Sequence, residues 1–277
     1  MIKDPENTDN RLFYQLLSSV ITPRPIALVS SCDIKGQVNL APFSFFNMVS
    51  VNPPILVFSP LRRMRTNTTK DTLNNAKSQK EVVINIVGFE HVEQMSLAGG
   101  EYDNSINEFD KTGFTTIESI KIVPPRVKEA IASFECKVID VLEFGKEGGA
   151  GNLVVCEIML AHFKDEIFNA ASQIDPHLFN PIGRLGKSYY IKGDEQSIFE
   201  IEKRNEGSGI GWDAIPDFIK KSKELSGNEI AKLASVQTIP IPIRTDGNKL
   251  KESEKIQQVK QFLSKGQIIE AWEVILR

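Results

Sequence analysis

The chain has 277 residues, which allows one large domain or two smaller ones and is enough to bury a core. Hydrophobic residues make up 41% and charged residues 25%, an ordinary globular composition that excludes collagen, coiled coil and bulk disorder. With 33 basic and 36 acidic residues, the formal net charge of −3 gives the chain no general attraction to nucleic acid.

The cysteines and the N-terminal segment indicate the compartment. Cys32, Cys136 and Cys156 are far apart and form no CxxC motif, so we expect them to be reduced and buried. The polar N-terminal segment lacks the apolar core of a signal peptide. No apolar run approaches the roughly 20 residues that a membrane helix needs. We therefore expect a cytoplasmic protein without a membrane anchor.

Helix signals occur early in the chain. A helix is predicted over 13–20 from apolar residues at helical spacing, and further helices are predicted over 66–78 and 90–97. Pro23 lies beyond the end of the first helix, and Thr68 or Thr69 can cap the second. The glycine- and aspartate-rich segment 98–114 is predicted to be a long loop.

Strand signals dominate the rest of the first two thirds. Strands are predicted over 26–31, from 38 onward, and over 55–58, 82–87, 133–144 and 153–163. Few helices lie between these strands, which favours an antiparallel barrel over a parallel doubly wound sheet.

The C-terminal part has a different character. Amphipathic helices are predicted over 214–225, 228–235 and 252–263. We therefore divide the chain into a barrel, residues 1–191, and a helical C-terminal extension, residues 192–277. The alternative, in which the extension packs on the barrel as part of one domain, stays open.

The strongest local feature is the segment 39–47, NLAPFSFFN, in which small and hydroxyl residues alternate with phenylalanines after a strand. It fits a site for a flat ligand, with Ser44 and Asn47 as the orienting polar contacts beside Phe45 and Phe46. The alternative is a core strand filled with aromatic side chains, and the segment taken alone favours that alternative.

A second feature is the basic segment from Ser59 to Thr72, which leads into a predicted helix. Its cations are Arg62, Arg63, Arg65 and Lys70, and its threonines are Thr66, Thr68, Thr69 and Thr72. Cations, hydroxyls and free helix amides together make a site for a phosphate monoester. The alternative is a solvated basic turn. The charge of Asp71 weighs against an anion unless Asp71 holds Lys70 or caps amides.

Other motifs carry less. The glycine-rich runs at 183–188 and 207–211 lack the spacing of a P-loop or a dinucleotide-binding loop. The three histidines have no metal-ligand spacing, so no metal site is predicted. His162 lies on the apolar face of the strand 153–163, where a hydrogen-bonded core histidine is the more common outcome. Its place near the strand end leaves a pocket role open.

Taken in order, these segments resemble the flavin reductase-like, FMN-binding split-barrel family, particularly its flavoredoxin-like branch. The resemblance covers roughly residues 10–192, and the order of the segments is more specific than any one of them. The segments are RPIALVSS (24–31), NLAPFSFFN (39–47), VNPPILVFS (51–59), TKDTLNNA (69–76), VVINIV (82–87), CKVIDV (136–141) and DPHLFNPIGRLGKSYY (175–190).

The resemblance implies a mainly β fold with helices: a six-stranded antiparallel Greek-key split barrel, followed here by the helical extension. It implies a homodimer with FMN bound near the subunit interface. The residues implied for the isoalloxazine ring are Ser44, Phe45, Phe46 and Asn47. Those implied for the ribityl phosphate are Ser59, Arg65, Thr69, Lys70, Asp71 and Thr72. On the substrate side, His162 and Arg184 are implied.

The resemblance predicts an FMN-containing oxidoreductase, with NADH or NADPH as a possible electron donor. Many NAD(P)H-dependent members carry a Gly-Asp-His motif before the last barrel strand, where this chain has Gly149-Ala150-Gly151-Asn152. An FMN carrier or electron-transfer protein without turnover, serving a donor or acceptor protein, is therefore the alternative. A barrel that has lost its flavin and acts as a scaffold is a third possibility. No general acid or base is identified.

Overall fold

The computed structural model describes residues 1–201, 209–241 and 250–277. Gly207 and Ser208 of the glycine-rich run lie outside the described residues. The chain forms two compact units, Met1–Phe199 and Glu200–Arg277. The predicted domain division after residue 191 stays a prediction.

The first unit is built on β-strands. In chain order they are β1 (Ala27–Cys32), β2 (Val38–Phe43), β3 (Phe46–Val51), β4 (Pro54–Phe58), β5 (Glu81–Ile86), β6 (Thr116–Ile117), β7 (Arg126–Val127), β8 (Ala132–Glu143), β9 (Asn152–Phe163), β10 (Ile182–Arg184) and β11 (Tyr190–Lys192). Seven of them form one antiparallel sheet in the order β2-β1-β5-β8-β9-β4-β3. Strands β6 and β7 pair with each other, as do β10 and β11.

The sheet curls because its two edge strands are consecutive in the chain. Only Ser44 and Phe45 separate β2 from β3, although these strands lie at opposite edges. Three Cα–Cα steps span at most about 11 Å, so the edges must approach each other. The predicted antiparallel split barrel is confirmed. The predicted strand number, six, is wrong, because Phe46–Val51 adds a seventh strand beside β4.

The interior of the barrel is filled from alternating strand positions. Val29, Phe58, Ile84, Cys136 and Val154 are each completely buried within one apolar cluster. The bounds of the two long strands lie within one residue of their predicted values. The glycine-rich turn between them fixes the end of β8 and the start of β9. All three cysteines are free and buried, as predicted.

The first unit also contains four α-helices. They are α1 (Asn10–Val20), α2 (Asp71–Gln79), α3 (Val92–Leu97) and α4 (Glu108–Thr112). Helix α2 starts later than predicted and without a threonine cap: its N-cap is Lys70, which makes no side-chain capping bond. The Thr68 hydroxyl instead contacts Thr66 and Arg63 within the preceding loop.

Helix α4 lies inside the segment predicted as a long loop, so that part of the prediction is wrong. Its first residue, Glu108, is buried and accepts hydrogen bonds from the Leu40 N–H (3.0 Å) and the Asn39 amide (2.8 Å). These partners lie almost 70 positions earlier in the sequence, so no local sequence pattern predicts the contacts.

The second unit contains α5 (Asp217–Lys220), α6 (Gly227–Leu233), α7 (Glu252–Ser264) and α8 (Ile268–Leu276). Its core surrounds the completely buried Trp272. The predicted helix 214–225 shrinks to α5. It starts later than predicted, because Pro216 is the N-cap and a residue before proline avoids the helical region. Helix α8 was not predicted. Among the described helices, none has the length and apolar character that crossing a membrane requires.

Candidate functional site

The curl of the sheet joins two predicted binding segments, the ring loop (residues 44–47) and the cationic loop (residues 59–72). The Ser59 N–H donates to the Phe45 carbonyl at 2.8 Å, and Phe46 pairs with Phe58 across β3 and β4. At the other end of the cationic loop, the Lys70 ammonium lies 5.6 Å from the ring centroid of Phe43. The two segments therefore form one continuous surface.

A large cavity opens beside this surface. It has a volume of about 660 Å³, within the range of small-molecule and cofactor sites. Phe45 of the ring loop and Met64 of the cationic loop line it, together with one face of α1 and the β8–β9 turn over 144–150. The Tyr14 ring meets Phe45 edge-on with centroids 6.4 Å apart. The cavity has room and aromatic walls for a flat polycyclic ring.

The arginines of the cationic loop are largely used to fold it. Arg63 donates to the Thr69 carbonyl at 2.6 Å, and Arg62 donates to the Asn67 side-chain oxygen at 2.7 Å. Arg65 pairs with Glu101 at 3.4 Å, and its side chain is 82% exposed. The contacts of Arg62 and Arg63 hold the loop, whereas the pair of Arg65 with Glu101 is exposed to solvent.

Lys70 differs from these arginines. Within the described residues its ammonium makes no hydrogen bond or ion pair, although the residue is half-buried. Burial lowers its pKa, and the nearby charge of Arg63 lowers it further. The residue also precedes the uncapped N-terminus of the nine-residue α2, whose first N–H groups carry partial positive charge. An unpaired cation in this place fits the phosphate of a cofactor.

The other predicted phosphate residues divide into two groups. Ser59, Thr69 and Asp71 are half-buried along the cationic loop, and Asp71 lies 4.0 Å from Arg63. Thr72 is buried, and its hydroxyl donates to the Asn39 side-chain oxygen at 2.7 Å. Because the hydroxyl donates to another residue of the protein, the group of Thr72 that can donate to a ligand is its backbone N–H.

The ring-loop residues also differ among themselves. Phe46 packs against the barrel core, and Phe45 lines the large cavity. Asn47 is exposed, and its side-chain oxygen accepts from the Met48 N–H at 2.9 Å. Ser44 is half-buried and faces Arg24.

Arg24 is a functional candidate that the sequence reasoning missed. It is only 8% exposed and donates to the carbonyls of Ser18 (2.5 Å) and Leu185 (3.0 Å). Its guanidinium lies 5.8 Å from the Phe45 ring centroid. Burial lowers its pKa, the Arg184 charge contributes, and no described carboxylate pairs with it. The only local signal is an arginine between two prolines at the start of a buried strand.

A smaller cavity of about 430 Å³ adjoins the ring loop. Ser44, Arg24 and Arg184 all line it, and Arg24 lines the large cavity as well. The structure thus brings Arg184, predicted for the substrate side, next to the ring loop.

His162 is not brought to this place within one chain. It lies eight positions along β9 from Val154, the partner of Phe58, a separation of about 26 Å. Its Nε2 contacts the Glu135 carboxylate at 2.7 Å, and Glu135 is completely buried. Burial acts to raise the Glu135 pKa, but hydrogen bonds from the Ile120 and Lys121 N–H groups and from His162 hold it lower. In the described parts of the chain, no group of three His, Cys, Asp or Glu could hold a metal.

Comparisons with known proteins agree with this architecture. The family model described as "Flavin reductase like domain" matches residues 18–180. An uncharacterized protein of Aquifex aeolicus is 38% identical over 187 residues, which are 68% of this chain and 93% of that one.

Two solved structures are similar in both fold and sequence. One is nitrilotriacetate monooxygenase component B from Bacillus cereus, 30% identical with a TM-score of 0.67, covering 73% of this chain and 98% of that chain. The other is the 2-nitrobenzoate 2-nitroreductase of Pseudomonas fluorescens, 29% identical with a TM-score of 0.64, covering 76% and 100%.

The curled antiparallel sheet and its similarity to solved flavin reductase-like structures define a split-barrel protein. The match over 18–180 makes the membership plain: this chain belongs to the flavin reductase-like family.

Proposed function

We propose that the chain binds FMN and transfers electrons through it as an oxidoreductase. The observation that carries this proposal is the unpaired Lys70 ammonium at the uncapped start of α2, on the surface that continues to the ring loop. When bound, FMN supplies the electron-transfer chemistry, by hydride or by single electrons. The protein's part is to hold the phosphate, orient the ring and limit water.

The residues around the cationic loop suit the phosphate end of FMN. Lys70 would give a charge-assisted hydrogen bond, and the first N–H groups of α2, at Asp71 and Thr72, would add backbone donors. Ser59 and Thr69 offer hydroxyls on the same loop. Arg65 would have to leave Glu101 to take part, an exposed pair that costs little to break.

The ring loop suits the flat end of FMN. Phe45, together with Phe46 and the walls of the large cavity, offers apolar surface for the isoalloxazine. Ser44 and Asn47 supply polar atoms that would fix the orientation of the ring. Arg24 sits behind Ser44 and adds a positive charge near the proposed ring position.

The named structural neighbours support a redox role. One is a component of a monooxygenase and the other a nitroreductase, and both are close to 30% identical to this chain. For this chain we propose that the bound flavin takes electrons from NADH or NADPH and passes them to an acceptor. Three buried, unpaired cysteines favour the cytoplasm as its location.

A homodimer is part of the proposal. Edge strand β3 exposes Met48 (61%), Val49 (59%) and Val51 (78%), an apolar strip at a sheet edge that a second copy would cover. A second copy would also offer a route by which His162 reaches a flavin site that its own chain keeps distant.

The alternative is an FMN carrier or electron-transfer protein that serves another protein and has no turnover of its own. The sequence Gly149-Ala150-Gly151-Asn152 favours it, because no Asp-His pair is present in the turn that lines the large cavity. NAD(P)H oxidation by the FMN-loaded protein, with and without an added acceptor, distinguishes the two: steady turnover rejects the carrier.

The visible spectrum of the purified protein, followed by titration with FMN, tests the central proposal. Flavin absorbance, or uptake of added FMN with quenching of its fluorescence, is the expected result. A colourless protein that leaves the fluorescence of added FMN unchanged would refute it.

A further inference from the structure

The smaller cavity beside the ring loop has an unbalanced set of charges. Its lining includes three cations, Arg24, Arg184 and Lys187, and no aspartate or glutamate. Within the described ranges, none of the three forms an ion pair. A cavity of about 430 Å³ with this lining has a positive potential that favours an anionic occupant.

Two of these cations, Arg184 and Lys187, have N–H groups that are free to bind a ligand. The third, Arg24, already donates to the backbone carbonyls around it. The Arg184 guanidinium donates one hydrogen bond to the Lys187 carbonyl at 2.5 Å and stacks 4.4 Å from the ring centroid of Tyr190. Within the described part of the chain, its other N–H groups remain free. Lys187 is exposed, and its ammonium makes no described hydrogen bond.

Backbone contacts hold the segment from Arg184 to Lys187 in place. The Arg184 N–H donates to the Arg24 carbonyl at 2.8 Å, and the Arg24 N–H donates to the Arg184 carbonyl at 3.0 Å. Between Arg184 and Lys187, Gly186 passes so close to α1 that an added Cβ would lie 2.8 Å from the Ser19 Cα. The anchored β10–β11 turn is therefore positioned before any ligand arrives, which lowers the entropic cost of binding.

The rest of the lining is suited to a flat organic body. Ile26, Pro42, Met95 and Tyr190 supply apolar and aromatic surface, and the Ser44 hydroxyl marks the side of the ring loop. A ligand anchored by its charge at Arg184 would thus present its ring toward the proposed flavin position.

We infer that this cavity is the substrate pocket of the proposed flavoenzyme and takes an anionic ring compound, whose charged oxygens Arg184 and Lys187 bind. The inference that the bound compound exchanges electrons with FMN rests on the proposed function. Aromatic carboxylic acids carry their oxyanion on the flat ring itself, and nicotinamide dinucleotides carry theirs on a pyrophosphate joined to the ring through a ribose. Both combine anionic oxygens with a flat ring, and the two sources are separated experimentally.

The experiment titrates the FMN-loaded protein with benzoate, with its neutral analogue benzamide and with NAD⁺. Binding is followed by the visible spectrum of the flavin and by calorimetry. Benzoate is expected to bind and to perturb the flavin spectrum, and benzamide to bind at least about tenfold more weakly.

Variants identify the residues that carry the effect. Arg184→Gln and Lys187→Asn are each expected to weaken benzoate binding about tenfold, and asparagine tolerates the positive φ of 54° at position 187. Lys192→Ala is the matched control, because Lys192 lies on the same hairpin and stacks on Phe89 outside this cavity. FMN affinity should stay unchanged in all three.

The outcomes separate cleanly. Arg184-dependent binding of benzoate supports an aromatic acid, and Arg184-dependent binding of NAD⁺ alone supports a dinucleotide in the same pocket. Three results overturn the inference while FMN stays bound: benzoate and benzamide both bind with equal affinity, the binding is indifferent to both variants, or neither benzoate nor NAD⁺ binds. Failure to take up FMN refutes the proposed function instead, and calorimetry of benzoate with the FMN-free protein then still tests the anion pocket.

Discussion

The Nε of Arg24 lies 3.4 Å from the hydroxyl of Ser44, so a buried guanidinium stands directly behind the ring loop. The same guanidinium binds carbonyls at the end of α1 and at Leu185, which lies 161 positions further along the chain. No described carboxylate neutralises it. One side chain therefore ties three segments together and places an uncompensated positive charge next to the proposed flavin site.

Replacing this charge should change the redox potential of bound FMN. Arg24→Met removes a cation that would stabilise the negative charge of a reduced flavin, so the midpoint potential is expected to fall. A lost interaction of about 1–2 kcal/mol corresponds to about 20–45 mV for two electrons. Spectroelectrochemical titration measures it. Arg24→Lys keeps the charge and should keep most of the potential, and an unchanged potential in Arg24→Met would contradict this role.

Removal of the Lys70 ammonium should weaken FMN binding. Lys70→Ala deletes the charge-assisted bond to the phosphate, for an expected loss of about 1–3 kcal/mol in binding free energy. Fluorescence titration with FMN and with riboflavin measures it, since riboflavin lacks the phosphate and should bind both proteins alike. Lys35→Ala, in the exposed turn between β1 and β2, is the matched control. Equal FMN affinity in the Lys70 variant would shift the anchor to Arg63 or to the α2 amides.

The pH dependence of FMN binding should carry the signature of the same residue. Burial lowers the pKa of Lys70 in the free protein, and a bound phosphate would raise it again because it favours the charged form. FMN affinity is therefore expected to fall as the pH rises through the lowered pKa, beginning at a lower pH than for an ordinary lysine. Lys70→Arg should keep its affinity over that range. A wild-type affinity that stays flat there would argue against a phosphate contact.

Features of the fold and of the candidate site are predictable from the sequence when the residues that determine them are close together along the chain. Strands β8 and β9 are predictable because alternation along each strand and the glycine-rich turn between them are local signals. Lys70 is a candidate from a local signal, the basic segment that leads into a helix, and its contact with a phosphate stays a prediction. Arg24 has no comparable local signal, since its partners include Leu185 far along the chain. The inward hydroxyl of Thr72 likewise depends on Asn39, a neighbour only in the folded barrel.

The Glu135–His162 pair is expected to act on stability. Glu135 is completely buried and accepts from two backbone N–H groups, at Ile120 (2.8 Å) and Lys121 (2.6 Å). Glu135→Gln keeps the size but turns one acceptor into a donor, so unfolding should become easier by about 2–4 kcal/mol. Urea denaturation measures it.

The pH dependence of that stability follows from the sign of the shift. The folded pKa of Glu135 lies below its unfolded value, so its contribution is complete at neutral pH and is lost as the pH falls below the ordinary glutamate range. The variant should show a shallower loss of stability in acid than the wild type. Parallel acid profiles for the two proteins would contradict this assignment.

The C-terminal unit should lose its structure without loss of FMN binding. Trp272 is completely buried, and its Nε1 donates to the Leu233 carbonyl at 3.0 Å. Trp272→Ala is expected to destabilise that unit by about 3–5 kcal/mol. Every proposed FMN contact lies within Met1–Phe199, so the FMN affinity should remain. Helix content by circular dichroism and FMN titration are measured on the same samples, with Trp212→Ala, at an exposed position, as control. Loss of FMN binding together with the helix signal would show that the two units depend on each other.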